Sequence, residues 1–131
     1  MWLNYPHDIN GEHQHPSSDS YATNQCAIRL GYALQLSGVV MSNYNTGPVT
    51  SEGYPRGAKS LADWLWQMYG EPVRVSPNDF EKNILNNSQG IFYQYPGSDN
   101  SSVGHIDLFN YGEMGSGYYY GYSEIWFWKI K

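Results

Sequence analysis

The sequence predicts an α+β domain, with helices first and an antiparallel sheet after them. Three observations lead there. Apolar residues recur at helical spacing only before Leu85. Beyond it the chain turns to short runs of aromatic and β-branched residues, "GIFYQYP", "VGHIDLFN" and "YYYGYSEIWFWKI", bounded by Gly, Ser, Asn and Pro. Fourteen Gly and seven Pro supply the turns between elements.

Each helix has its own signals. The first is expected from about Asn24 to Ser37, capped by Thr23 or Asn24. Ala27, Leu30, Ala33 and Leu34 share one face, and Gly38 is placed to end the helix in the left-handed conformation. Residues 43–57 read as a turn-rich loop. A second helix is expected from Leu61 to about Tyr69, with Ser60 as cap, Asp63 three residues on, and a core stripe of Leu61, Trp64, Leu65 and Met68. Gly70 and Pro72 stop it. A short third helix from Pro77 to Leu85 has Ser76 as cap and Pro77 at its first position. "GEMGSG" reads as a turn; no Lys follows it and no helix opens after it, so it is not a phosphate loop. Residues 1–131 are expected to form one domain, with residues 1–20 as an irregular lead-in.

Composition narrows the function. The net charge is -5, and there is no basic stripe to neutralise phosphates or meet anionic lipid, which argues against nucleic acid and membrane surfaces as partners. No stretch approaches transmembrane length, so membrane insertion is not expected. The opening residues carry no basic region followed by an apolar core, so synthesis in the cytoplasm without a cleaved signal peptide is the expectation. His13 and His15 form an H-x-H pair, but no further ligands are evident, and a solvated loop is expected there rather than a metal site.

One cysteine, Cys26, stands in the first turn of the first helix. Unpaired backbone N–H groups and the positive end of the helix dipole gather at such a position and favour a thiolate. The same N–H groups can stabilise an oxyanion. A histidine on a later strand is the usual complement, and His105 follows Gly104, which leaves room for close approach. Thiol on the first helix, then imidazole on a strand, is the papain-like order.

The wording around these two residues is more specific than their order. "NQCAIRLGYALQLSGV", "RGAKSLADWL", "GIFYQYP", "GHIDLFN" and the terminal "SEIWFWKI" together resemble the family 4 amidase effectors of type VI secretion, from about Tyr21 to the end. The resemblance implies a papain-like, NlpC-type fold, with the nucleophile helix packed on a C-terminal antiparallel sheet. It implies a cysteine amidase that needs no cofactor or metal. Such effectors pass through the secretion apparatus into the periplasm of a rival cell and cut peptidoglycan stems between D-glutamate and meso-diaminopimelate. A cognate immunity protein protects the producer. Carried over, Cys26 is the nucleophile and His105 the general base. The family's acidic third residue falls, without gaps, on Ser116. Glu113 lies in the same turn, and Asp107 shares a strand face with His105; Asp107 ranks just above the other two. Some family members carry a cysteine pair around this hairpin, where Met114 and Tyr118 stand here.

Other readings of the flanking residues stay open. Asn24 and Gln25 either help form the oxyanion site or cap the helix. Arg29 either meets a substrate carboxylate or serves a surface salt bridge. A papain-like hydrolase of another peptidoglycan amide fits the same pair. A sugar- or peptide-binding module without chemistry would instead use rings of "YYYGYSEIWFW" on one sheet face.

Overall fold

A computed structural model describes residues 26–51, 53–96, 104–115, 118 and 122–130. The lead-in, the H-x-H pair, Thr23, Asn24, Gln25 and Ser116 lie outside the described residues. Within them, helices α1 (Cys26–Leu36) and α2 (Ala58–Tyr69) come first. Strand β1 (Val73–Val75) and helix α3 (Pro77–Asp79) follow, and α3 runs on into a π-helical stretch, Phe80–Ile84. Strands β2 (Gln89–Tyr95), β3 (His105–Asn110), β4 (Glu113–Met114) and β5 (Glu124–Lys129) complete the chain. The sheet is antiparallel at every pair, in the order β1-β5-β2-β3-β4. This is the α+β, papain-like arrangement that the sequence led us to expect.

α1 is buried on more than one face: Ile28, Arg29 and Gly31 are covered as well as Ala27, Leu30, Ala33 and Leu34. A one-sided stripe therefore understates how deeply this helix is set. Its end is a Schellman motif. Gly38 takes φ 93°, its N–H donates to the Gln35 carbonyl, and the Val39 N–H donates to the Leu34 carbonyl at 3.0 Å.

α2 starts three residues before the expected Leu61. Its N-cap is Gly57, whose carbonyl accepts from the Leu61 N–H at 3.0 Å. Ser60 therefore lies inside the first turn rather than at the cap, and its hydroxyl donates back to the Gly57 carbonyl. Leu61, Trp64 and Leu65 are in the core, but Met68 is 46 % exposed. The buried stripe therefore ends one turn early, at Leu65. α3 keeps the expected cap, with the Asp79 N–H donating to Ser76 Oγ at 3.1 Å. The widened turns after it close with the Leu85 N–H donating to the Phe80 carbonyl.

Two elements escaped the sequence reading, and both are short. β1 is a three-residue edge strand on β5. β4 occupies part of the segment expected to be only a turn. It pairs with Phe109 and Asn110 across a two-residue turn in which Tyr111 (φ 47°) and Gly112 (φ 96°) both take positive φ.

The sheet is buried on both faces. Ile91, Tyr93, Ile106, Leu108 and Trp126 pack with α1 and α2. Phe92, Phe109, Ile125 and Phe127 surround Phe80 on the other side. Met114 and Tyr118 both pack on that second cluster, and the Tyr118 hydroxyl bonds Glu81 at 3.0 Å. Period-2 alternation along β5 thus sends its rings to two cores, and the strand presents no open aromatic face.

Replacing Gly38 tests the cap of α1. No atom stands within 4 Å of where a Cβ would be built. Gly38→Ala should therefore cost only the left-handed backbone penalty, about 1 kcal/mol in urea denaturation.

Candidate active site

Cys26 opens α1 and is 4 % exposed. His105 opens β3 and is also 4 % exposed. The structure brings the two together: the imidazole hydrogen-bonds to the Cys26 thiol. Gly104, at φ 84°, precedes the histidine. A Cβ there would stand 2.6 Å from the Gln94 carbonyl oxygen and 2.7 Å from the Tyr93 ring, so only glycine lets the strand begin at this place.

Asp107 is fully buried. Its Oδ1 accepts the Leu108 N–H at 2.8 Å, which aims Oδ2 at His105 Nε2, 3.5 Å away. That is ion-pair distance, longer than a good hydrogen bond, and catalytic contacts often tighten only when substrate is bound. With Nε2 facing the carboxylate, Nδ1 is the ring nitrogen left to address the thiol. Burial alone would lower the His105 pKa. The hydrogen bonds to Asp107 and Cys26 and the charges on both outweigh it and raise the value from 6.5 to about 9.

The other sequence candidates separate. Glu113 lies on β4, which pairs with the far end of β3, five residues or roughly 17 Å along the strand from His105. The structure does not bring it to the imidazole. Arg29 is 6 % exposed and engaged by a neighbour, so it is set into the packed interior rather than projecting from the surface. Asp63 sits at the surface of α2 and pairs with Lys59 at 2.6 Å, while Trp64 is in the core. Among the described residues no group of three or more His, Cys, Asp or Glu is placed to hold a metal.

Two neighbours of the site were not singled out from the sequence. Gln94 is fully buried and directly opposite His105 in the β2–β3 register. Tyr93 is 1 % exposed and belongs to the same core cluster as Cys26. Burial first, then the charges of Asp63, Tyr122, Tyr95 and Cys26, push its phenol pKa far above the usual value. Strand alternation was the only available signal, and it does not distinguish these two from the other residues of "GIFYQYP".

Residues 22–128 match the model of a family described as type VI secretion system amidase effector protein 4, Tae4. The chain belongs to the Tae4 family. It is therefore a hydrolase, an amidase effector of type VI secretion that acts on peptidoglycan and is delivered into target cells. Solved Tae4 structures share its fold. Tae4 from Enterobacter cloacae, in complex with Tai4, superposes with a TM-score of 0.67 at 24 % identity, over 84 % of this chain and 76 % of that one. Tae4 from Salmonella typhimurium, bound to the E. cloacae immunity protein Tai4, gives 0.68 at 19 % identity, over 85 % and 77 %. Uncomplexed E. cloacae Tae4 gives 0.64 at 23 % identity, over 84 % and 74 %. At these identities the likeness speaks for the fold alone. No curated protein matches the sequence.

The raised His105 pKa makes a pH prediction. A histidine whose pKa rises on folding stabilises the folded state fully below its unfolded value, and that stability is lost as pH climbs through the folded value. Here the loss should run from about 6.5 to about 9 and amount to about 3 kcal/mol. Urea titrations across that window should show the decline in the parent and its absence in His105→Gln.

Proposed function

We propose that Cys26 is the nucleophile, His105 the general acid–base and Asp107 the group that orients the imidazole, within one domain spanning residues 1–131. The observation that carries this reading is a buried imidazole hydrogen-bonded to a thiol at a helix start, with a buried carboxylate 3.5 Å from its other nitrogen. The start of α1 adds backbone N–H donors where an oxyanion would develop.

The chemistry follows from these positions. The proton already rests on His105, whose pKa is raised to about 9, and the Cys26 sulfur attacks the amide carbonyl carbon as the thiolate. The carbonyl π-electrons move to oxygen, then return as the C–N bond breaks. The imidazolium delivers its proton to the leaving nitrogen, and a thioester remains. A water then gives its proton to His105, attacks the thioester carbonyl and releases a carboxylic acid. The sulfur leaves as a thiolate beside the imidazolium, which restores the starting pair. Asp107 holds the ring in one tautomer and stabilises its positive form.

The proposed bond is the D-glutamate–meso-diaminopimelate amide of peptidoglycan stems, and the proposed place of action is the periplasm of the target cell. Family membership supports this assignment. The solved complexes of related effectors with Tai4 support a cognate immunity protein as the partner that covers this cleft.

Cys26→Ala should fold, since Ala is the best helix former, and should lose several orders of magnitude in turnover of muropeptides. Asp107→Asn should reduce kcat by up to about four orders of magnitude if the carboxylate sets the tautomer; an Asn variant near the parent rate removes Asp107 from the site. Mass spectrometry of sacculi digested by the pure protein, with and without a candidate immunity protein, tests the bond. Fragments cut at the lactyl amide, or at the cross-bridge alone, would reject it.

A further inference from the structure

Tyr93 lies where the nucleophile helix and the histidine strand meet, and the triad chemistry makes no use of it. It pairs with Ile106 in the β2–β3 register, so its side chain stands on the sheet face that α1 covers. Its phenol end rests on the backbone of Gly104, where an added Cβ would come within 2.7 Å of both Oη and Cε1. It shares a core cluster with Cys26 and is 1 % exposed, so its ring cannot swing out to solvent without opening that core. The ring is further held by Trp126, whose centroid is 5.2 Å away.

From this placement we infer that the Tyr93 hydroxyl is a positioning residue for the amidase reaction, one that fixes the backbone from which His105 projects and so holds the imidazole against Cys26. The inference rests on the assignment of Cys26 and His105 above.

The physical case has two parts. Burial, together with the nearby Asp63 and Cys26 charges, keeps the phenol protonated across the working range, so Tyr93 is an O–H donor there. The neutral ring therefore stays packed against Gly104 across that range. The contact with Gly104 adds a steric role, because displacing the phenol changes what the first residues of β3 lean on.

Tyr93→Phe separates these effects from packing, since it keeps the ring and removes one oxygen. Three proteins are compared: the parent, Tyr93→Phe and Cys26→Ala. Each is assayed for kcat and KM on muropeptides, the first two also for the pH profile of Cys26 alkylation by iodoacetamide, with thermal melts as a check on folding. The expected result is a fall in kcat of about tenfold or more with KM within about twofold, and an alkylation profile moved upward by about one pH unit. A merely structural tyrosine would leave that profile in place, so superimposable parent and variant profiles overturn the inference, whatever happens to kcat. If Cys26→Ala retains parent activity, the nucleophile assignment fails first. If it is inactive and Tyr93→Phe matches the parent, only the role of Tyr93 fails.

Discussion

A histidine that must touch a thiol on one element and a carboxylate on its own strand sets the geometry of this protein. His105 is buried, and a buried imidazolium is tolerable only beside compensating negative charge. Asp107 and Cys26 supply it, and their combined effect outweighs the cost of burial. The start of α1 and the start of β3 must therefore coincide. Much of the surrounding structure follows from that requirement. α1 is sunk among apolar neighbours instead of lying on the surface. Gly104 has no side chain to hold the strand away from Tyr93 and the Gln94 carbonyl.

The sheet serves the same end from behind. β2 is hydrogen-bonded on both sides, to β3 and to β5, and its residues are buried on both faces. A slip of one residue in the β2–β3 register would turn His105 and Asp107 over together. The Phe80 cluster on one face and the α1–α2 cluster on the other both oppose such a slip. Two separate apolar cores therefore hold in register a strand whose working residues are polar. The carboxylate is placed economically: neighbouring same-face positions on one strand need no second loop to bring an acid to the base.

That placement departs from the position the family resemblance points to. Without gaps, the family's acid is expected in the aligned hairpin at Ser116, which lies outside the described residues. Glu113, the nearest acid in that hairpin, is carried to the far end of β3 by its pairing with Asn110. Asp107 is the acid that faces the imidazole, although two side chains on one strand usually stand parallel and not point to point. The Leu108 N–H turns the carboxylate, and the long imidazole spans the remaining gap.

Much of this was legible in the residues. Helical spacing with Gly38, Gly70 and Ser76 located the helices, and period-2 aromatic runs located the long strands. A lone cysteine at a helix start, with "GHIDLFN" downstream, picked out two side chains that the fold brings together and to which we assign the reaction. Such signals are local, because propensity, capping and turn chemistry act within a few residues. What the tertiary structure alone decided was non-local. β1 and β4 are too short to carry a pattern and exist because a neighbouring edge offers hydrogen bonds. Ser60 matched a capping signature, yet the helix began at Gly57, where the chain leaves the loop. The burial of Arg29, the separation of Glu113 from His105 and the arrival of Tyr93 and Gln94 beside the site all depend on which strands pair and in what register. Sequence spacing along one element cannot report a distance between two elements, and the chemistry of this site is set by such distances.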